Sequence, residues 1–395
     1  MKEFLEGSRG VAEAVKLCAP GVISAYPITP QTHIVEELAQ MVADGSLNAQ
    51  FVNVESEHSA ASVVLGAVAA GVRSYTATSS QGLLYMAEVI FNIAGMRLPL
   101  VLTCANRAIS APINIWNDQQ DSVSLRDAGW IQLYAENNQE AVDFHFMGYR
   151  LSEDKSVMLP VMVCMDGFIL THGMETVDIP EQEKVNKFLP AYKPLYKLDT
   201  QDPISMGLLA DPDYYLEARF AIQETLKSVL SFIPKVSEEF RNTFGRDYKD
   251  CLVEEYFTKD ADKVIVAMGS VCGTIKEVID ELRKKKKKVG LLRIISYRPF
   301  PYNRVYEALK NVPRVAVLDK AVSLGAYAPL AVEVKAAFLG KKKSPKVTSS
   351  FVAGLGGRDI TAHSIKEIFR KLTQTEVNSE FIDLKPELLT EEYGE

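Results

Sequence analysis

Short apolar runs rich in β-branched residues alternate with helical stretches from residue 8 to about residue 175, and this alternation most constrains the fold. The predicted strands are Gly21 to Ala25, Gln50 to Val54, Ser74 to Thr78, Leu98 to Cys104, Trp130 to Tyr134 and Met158 to Cys164. The predicted helices, which have the length and apolar period of helices, are Gln31 to Asp44, Glu57 to Gly71, Gln81 to Gly95 and Gln139 to Glu153. Strands that alternate with helices predict a parallel, doubly wound sheet.

A second, shorter alternation begins near Lys263 and indicates a second α/β domain. It contains a predicted helix, Gly273 to Lys287, and predicted strands at 263–270, 289–295 and 315–318. Residues 176–215 between the two parts are rich in Pro and Tyr, and Tyr214 to Phe244 predicts a long helical connector. We therefore predict an α/β fold of two domains, residues 1–246 and residues 247–395, with an acidic tail from Glu376 to Glu395.

Charge and cysteine content exclude several classes of function. The net charge of −7 argues against a general nucleic-acid-binding protein. The five cysteines form no CxxC pair, so no iron–sulfur or zinc site of ordinary spacing is predicted, and no residue is predicted as a metal ligand. Their odd number is typical of a reducing compartment, and no apolar run approaches membrane-spanning length, so we predict a cytoplasmic protein.

The loop from Tyr26 to Pro30 follows the first predicted strand and precedes a helix, at the edge where open α/β sheets bind ligands. Pro27 and Pro30 fix their own φ angles and push the residue before each into extended geometry. Thr29 is therefore predicted to present its hydroxyl on a stiff turn. The alternative is that Thr29 only caps the next helix, as a Thr before an apolar-periodic run commonly does.

Glu57 and His58 lie in the first turn of the helix that follows the second predicted strand. That helix is rich in Ala and Gly, so another group can approach its start closely. A purely structural interpretation of Glu57 stays open, because an acidic residue in a first turn suits the helix dipole and Ser56 can serve as the cap.

A hydroxyl-rich turn, Thr76 to Leu83, carries Ser80 and Gln81 from the third strand into a helix. Turns of this kind offer backbone N–H groups to an anion or to a ring nitrogen. The turn lacks the lysine and the spacing of a P-loop, which argues against a nucleoside triphosphate.

Arg107 begins a loop of about 20 residues that follows a buried strand, and loops of this length are commonly functional. Its guanidinium fork has the geometry to hold a substrate carboxylate with two hydrogen bonds. The alternative is a structural ion pair with Asp118 or Asp121 in the same loop.

Four stretches taken together resemble the α subunits of the 2-oxoacid:ferredoxin oxidoreductases, most closely the pyruvate:ferredoxin branch. They are YPITP at 26–30, VESEHSA at 54–60, TATSSQGL at 76–83 and ANRAISAPINIWNDQQD at 105–121, and the similarity continues more weakly at 290–301 and 354–359. The resemblance implies a thiamine-diphosphate-binding-type parallel sheet that holds the aminopyrimidine of the cofactor. A smaller domain similar to the transketolase C-terminal domain is expected to follow it.

The same resemblance implies a role for individual residues. Glu57 matches the glutamate that hydrogen-bonds the pyrimidine N1′, Thr29 the threonine that faces the substrate carbonyl, and Arg107 the arginine that binds the 2-oxoacid carboxylate. The residues expected to contact the cofactor are Tyr26, Pro27, Ile28, Glu57, Ser80 and Gln81.

The implied reaction is the oxidative decarboxylation of pyruvate with coenzyme A to acetyl-CoA and CO2. The segment Met165 to Phe168 lacks the first glycine of the family's Mg²⁺–diphosphate motif, so that half of the site is expected on another chain. The resemblance thus implies partners: a β subunit that binds diphosphate and Mg²⁺, a γ subunit, a ferredoxin-like δ subunit with [4Fe–4S] clusters, and ferredoxin as acceptor. This chain is expected to have no activity alone.

Three alternatives remain from the sequence. A 2-oxoisovalerate:ferredoxin oxidoreductase subunit would share all four stretches, a non-catalytic structural subunit would keep the fold, and a dinucleotide-binding protein would need a GxGxxG turn that is absent. The histidines His33, His145, His172 and His363 are interpreted as surface or satisfied core residues, and His58 could orient a residue of a partner.

Overall fold

The computed structural model describes residues 2–373 and 375–389. The strands are β1 Lys2–Glu6, β2 Val22–Ser24, β3 Gln50–Val52, β4 Ser74–Thr78, β5 Val101–Asn106, β6 Ile131–Tyr134, β7 Val161–Asp166, β8 Met174–Asp178, β9 Val253–Tyr256, β10 Lys263–Ala267, β11 Val289–Ile294, β12 Ser296–Arg298, β13 Arg314–Asp319, β14 Val347–Val352 and β15 Glu380–Phe381. The helices are α1 Gly7–Cys18, α2 Thr32–Ala43, α3 Glu57–Ala69, α4 Ser80–Tyr85, α5 Ala87–Gly95, α6 Gln120–Ser124, α7 Asn138–Ser152, α8 Gln182–Phe188, α9 Pro212–Phe244, α10 Val271–Lys284, α11 Tyr302–Leu309, α12 Pro329–Ala336 and α13 Ala362–Lys371.

The first of two compact units is built on a seven-stranded sheet and comprises Met1–Glu254, Met268–Ser270 and Ile294–Pro301. Its strand order is β12-β6-β7-β5-β4-β2-β3, in which only β12 runs antiparallel to its neighbour. Strands β4, β5, β6 and β7 are buried along their whole length, as parallel strands covered on both faces are. The predicted parallel α/β sheet is confirmed.

Some elements of the first unit differ from the sequence prediction. The helix predicted at 81–95 is two helices, α4 and α5, which meet at Met86. Strands β1 and β8 form a separate antiparallel pair, with Lys2 opposite Asp178 and Glu6 opposite Met174. Their pairing joins segments far apart in the chain, so no local pattern indicated it.

The second compact unit comprises Glu255–Ala267, Val271–Arg293 and Tyr302–Glu395. The second large sheet has the order β15-β14-β13-β10-β11-β9, and its pairs β10–β11, β10–β13, β13–β14 and β14–β15 are parallel. A separate apolar core lies on this sheet, including Ile265, Leu291 and Phe351. The domain boundary at residues 246 and 247 stays a prediction, and residues 390–395 of the predicted acidic tail lie outside the described residues.

The five cysteines are free and buried. Among the residues described, no helix combines the length and the apolar content that crossing a bilayer requires.

His145 on α7 is fully buried and belongs to a chain of hydrogen bonds inside the first unit. Its Nδ1 lies 2.6 Å from the carbonyl oxygen of Ala141, so this nitrogen carries the proton. Its Nε2 then accepts from the Thr103 hydroxyl at 2.6 Å, and Thr103 accepts from the hydroxyl of Tyr75, also at 2.6 Å. The interpretation of His145 as a satisfied core histidine is confirmed.

Burial lowers the pKa of His145 to about 4, whereas an exposed histidine in the unfolded chain titrates near its ordinary value of 6.5. His145 binds a proton in the unfolded chain at a pH at which it stays neutral in the folded chain. The unfolding free energy therefore falls as the pH drops from about 6.5 towards 4. We expect the wild-type chain to lose about 2 kcal/mol of unfolding free energy relative to His145→Gln between pH 7.5 and pH 5. Denaturant unfolding at both pH values measures this difference.

His363→Asn is the matched control, because it removes an exposed histidine and leaves the buried His145 in place. Equal pH dependence of the wild type and His145→Gln would contradict the neutral, buried state of His145.

Candidate functional site

The carboxyl ends of four neighbouring parallel strands bring all the predicted site residues to one edge of the first sheet. The strands lie in the order β5-β4-β2-β3, and the segment after each carries predicted residues. Tyr26 to Pro30 follow β2, Glu57 follows β3, Ser80 and Gln81 follow β4, and Arg107 follows β5. This is the edge at which open α/β sheets bind ligands.

The loop Tyr26 to Pro30 is held to the sheet by Gln31, which is fully buried. Gln31 Nε2 donates to the carbonyl oxygen of Ala77 on β4 at 2.7 Å, and its Oε1 accepts from the Ile28 N–H at 3.2 Å. Helix α2 begins at Thr32 with Gln31 at the N-cap position, so the alternative in which Thr29 caps the helix is wrong. The Thr29 residue is exposed, as a presented hydroxyl requires.

Arg107 lies directly against this loop. Its Nη1 donates to the carbonyl oxygen of Thr29 at 2.8 Å, and its Nε donates to the carbonyl oxygen of Asn114 at 2.9 Å. Within the described residues its guanidinium forms no ion pair with Asp118 or Asp121, so the structural ion pair is wrong as an explanation of Arg107. Nη2 has no hydrogen-bond partner among those residues.

Asp121, which the sequence suggested only as an ion-pair partner, is the buried centre of the site. Its Oδ2 accepts from the backbone N–H groups of Ser80 at 2.9 Å and Arg107 at 3.0 Å. Its Oδ1 accepts from Asn106 Nδ2 and from the Ser122 N–H, each at 2.8 Å. Burial raises the pKa of Asp121, and these four N–H donors oppose that rise by stabilising the carboxylate.

Ser80 and Gln81 direct their side chains into the loop that follows Arg107. The Ser80 hydroxyl contacts the Ala108 carbonyl oxygen and Gln81 Oε1, and Gln81 Nε2 donates to the Ser110 hydroxyl. Both residues therefore support the loop that follows Arg107. Their predicted contact with a cofactor stays a prediction.

Glu57 is the first residue of α3, where the Ser56 side chain accepts from the Ser59 N–H and caps the helix. The half-buried Glu57 carboxylate makes no hydrogen bond within the described residues. It lies against Gly82 of α4, where an added Cβ would be 2.7 Å from Glu57 Oε1 and 2.5 Å from Thr78 Oγ1. Only glycine leaves room for this contact.

Two hydroxyl groups at the same turn are buried without a partner. They are Thr78 Oγ1 and Ser79 Oγ, and a buried polar group without a hydrogen bond is costly. An unpartnered carboxylate beside unpartnered hydroxyls suits a ligand that offers both ring nitrogens and an amino group. The residues therefore fit an aminopyrimidine ring of the kind that the family resemblance implies.

The predicted residues are not all in mutual contact. Thr29 and Arg107 touch directly, and Ser80 and Arg107 share Asp121. Tyr26 and Pro27 are exposed. The sequence analysis missed the roles of Asp121 and Gln31, because both residues act through contacts between distant segments.

Two protein-family models match the chain, one in each part. Residues 13–238 match the model described as "Pyruvate flavodoxin/ferredoxin oxidoreductase, thiamine diP-bdg". Residues 261–365 match "Pyruvate:ferredoxin oxidoreductase core domain II".

Curated relatives extend this similarity over nearly the full chain. The chain is 50% identical over 385 residues to pyruvate synthase subunit PorA of Methanothermobacter thermautotrophicus, covering 98% of this chain and 99% of that protein. It is 42% identical over 369 residues to ketoisovalerate oxidoreductase subunit VorA of Pyrococcus horikoshii, covering 93% of each.

Solved structures show the same fold. The 2-oxoglutarate:ferredoxin oxidoreductase of Magnetococcus marinus, solved with 2-oxoglutarate, coenzyme A and succinyl-CoA bound, has a TM-score of 0.72 at 19% identity, covering 94% of this chain and 65% of that chain. An inactive split-gene transketolase tetramer has a TM-score of 0.54 at 11% identity, covering 92% of this chain and 96% of its own.

We predict that Gly82→Ala displaces the Glu57 carboxylate and destabilises the first unit by about 1–3 kcal/mol, because the added methyl group overpacks a filled contact. Gly66→Ala in α3 is the matched control, since a Cβ there meets nothing within 4 Å. The control should be neutral or gain up to about 1 kcal/mol from helix propensity. Denaturant unfolding of both variants tests the difference, and equal stability would contradict the close contact at Gly82.

Proposed function

The chain belongs to the pyruvate:ferredoxin oxidoreductase family, and from this membership we propose that it is the α subunit of a thiamine-diphosphate-dependent pyruvate:ferredoxin oxidoreductase. The enzyme would convert pyruvate and coenzyme A to acetyl-CoA and CO2 and pass the electrons to ferredoxin. The observation that carries the proposal is the meeting of Thr29 and Arg107 at the sheet edge that also bears the unpartnered Glu57 carboxylate.

Glu57 would hold a proton at the pyrimidine N1′ atom of the cofactor. A carboxyl group in a partly buried position can share a proton with a ring nitrogen and so tune the basicity of the amino group across the ring. When bound, thiamine diphosphate supplies the electron sink that the decarboxylation of a 2-oxoacid needs. The buried, unpartnered Thr78 hydroxyl lies near Glu57 at Gly82, and Tyr26 to Ile28 with Ser80 and Gln81 would border the ring.

Arg107 would bind the carboxylate of the 2-oxoacid through Nη2 while Nη1 keeps its bond to the Thr29 carbonyl oxygen. This tether fixes the distance between the bound carboxylate and the Thr29 hydroxyl, which would donate to the carbonyl oxygen of the substrate. Burial lowers the pKa of Arg107, and the Asp121 carboxylate opposes this shift. The desolvated guanidinium would therefore bind an anion more strongly than an exposed one.

Partner subunits would complete the site. Large apolar side chains around this edge are exposed, among them Tyr26 at 38%, Trp116 at 53% and Ile113 at 81%. Apolar surface of this kind commonly marks a protein interface. We propose a β subunit that binds the diphosphate and Mg²⁺, a γ subunit and a ferredoxin-like δ subunit with [4Fe–4S] clusters, in the cytoplasm.

A second candidate substrate is 2-oxoisovalerate, favoured by the 42% identity to a ketoisovalerate oxidoreductase subunit. Arg107 and Thr29 recognise only the carboxylate and carbonyl groups that both substrates share. Selectivity between the alkyl groups of the two substrates is therefore determined by other residues of the assembled enzyme.

The proposed function is tested by anaerobic purification of the chain from its host with its associated subunits, followed by CoA-dependent ferredoxin reduction. We expect pyruvate to be turned over faster than 2-oxoisovalerate, and the isolated chain to have no activity. Preference for 2-oxoisovalerate would select the second candidate. Activity of the isolated chain would contradict the half-site proposal.

We predict that Arg107→Ala lowers kcat/KM for pyruvate by about 10- to 100-fold, because a charge-assisted contact contributes about 1.5–3 kcal/mol. Steady-state kinetics of the assembled enzyme measures the change, with cofactor content determined in parallel. Arg126→Ala is the matched control, since Arg126 donates only to the Val123 carbonyl oxygen and pairs weakly with Asp127. An unchanged kcat/KM in Arg107→Ala would contradict the proposed role of Arg107 in substrate binding.

A further inference from the structure

Three side chains from separate elements of the first unit meet away from the residues assigned above. Glu6 ends β1, His33 lies in the first turn of α2, and His172 lies in the turn between β7 and β8. His33 Nδ1 is 2.7 Å from Glu6 Oε1, and the two imidazole centroids are 4.6 Å apart. The three ligand atoms lie within 4.8 Å of one another, and no other such group of three occurs in residues 2–373 and 375–389.

Each of the three side chains is available to a ligand. Glu6 occupies the N-cap position of α1, but its carboxylate makes no capping hydrogen bond there. The His33 side chain is 46% exposed. His172 is oriented by Thr171, whose Oγ1 lies 2.7 Å from Nδ1 and also accepts from the Phe168 N–H, so Nε2 is left for a ligand.

The arrangement at His172 is the one that metal-binding histidines show, since the ring nitrogen that does not bind the ion is hydrogen-bonded to a protein oxygen.

A surface cavity of about 440 Å³ adjoins the cluster and is lined by Glu6, His33 and Glu36, among others. Glu36 is exposed and three residues after His33, so both side chains lie on one face of α2. Arg9 also lines the cavity, but its guanidinium is bound to Glu13 at 2.8 Å and to Glu37. The cavity has room for a water molecule as a fourth ligand.

We propose that Glu6, His33 and His172 bind one divalent ion of the zinc class, with water in the fourth position. Two imidazole nitrogens and a carboxylate oxygen are ligands that zinc prefers. In a tetrahedral site with bonds of about 2.0–2.1 Å, ligand atoms are about 3.4 Å apart. Rotation of the exposed His33 side chain, with loss of its direct contact with Glu6, would bring the ligand atoms to this spacing.

The ion would add a further link between segments that already touch, because Glu6 contacts His33 and β1 pairs with β8 just after His172. His33 is three residues after Pro30, and the His172 ring lies 4.7 Å from the ring of Phe168. Gly167, beside Phe168, packs so closely on Pro30 that an added Cβ would be 2.6 Å from the proline Cγ. The bound ion would thus stiffen the segment that presents Thr29, although the site itself does not depend on the proposed function.

Zinc content and zinc coordination test the proposal on the full-length chain purified with its associated subunits. After dialysis against micromolar zinc and removal of free metal, we expect one zinc per chain by mass spectrometry of the metal. Zinc K-edge X-ray absorption, which does not see the iron of partner clusters, should show two imidazole ligands. Zinc should also raise the melting temperature of the wild-type chain.

His33→Asn and His172→Asn should each weaken zinc binding at least about tenfold and abolish the zinc-dependent rise in melting temperature. His363→Asn, which changes an exposed histidine of the second unit, should behave as wild type. Glu6→Gln provides a third variant that keeps both histidines. Zinc binding that is undetectable in wild type, or equally strong in the His33 and His172 variants, would overturn the proposal.

Discussion

The buried carboxylate of Asp121 is the interaction on which the candidate site depends. It joins the start of α4 through Ser80, the end of β5 through Asn106 and Arg107, and the start of α6 through Ser122. A buried carboxylate is costly to desolvate, and four N–H donors together with the more distant Cys104 thiol, 3.5 Å from Oδ2, stabilise this one. Three chain segments that share no secondary structure are thereby fixed at one edge of the sheet.

Several polar side-chain groups near these segments have no hydrogen-bond partner in the part of the chain that the structure describes. Within the described residues, the Glu57 carboxylate, Arg107 Nη2 and the hydroxyls of Thr78 and Ser79 lack hydrogen bonds. Buried polar groups without a partner are rare in folded proteins, and the Thr78 and Ser79 hydroxyls lie where β4 ends. In the proposed site, these side chains would find their partners in the bound ligand.

The sequence predicted those features that are encoded locally. Strand β4 was predicted at its observed bounds because Ser74 to Thr78 is one short β-rich run. The next run, Leu98 to Cys104, predicted a strand that ends just before Arg107, and the observed β5 is Val101–Asn106. The roles of Asp121 and Gln31 could not be predicted, because each depends on hydrogen bonds to segments 14 to 46 residues away. The pairing of β1 with β8, and with it the position of Glu6, depends on a still longer separation.

Prolines explain the stiffness of the Thr29 loop but not its position. Pro27 and Pro30 restrict φ, yet a stiff loop can still move as a body about its ends. Its position follows from two contacts, the bond from Gln31 to β4 on one side and the bond from Arg107 to the Thr29 carbonyl oxygen on the other. In the proposed function Arg107 would have two roles at once, since the guanidinium that contacts the Thr29 carbonyl oxygen would also bind an anion through Nη2. A lysine could supply the charge but not both contacts in one plane, so the geometry requires arginine at this position.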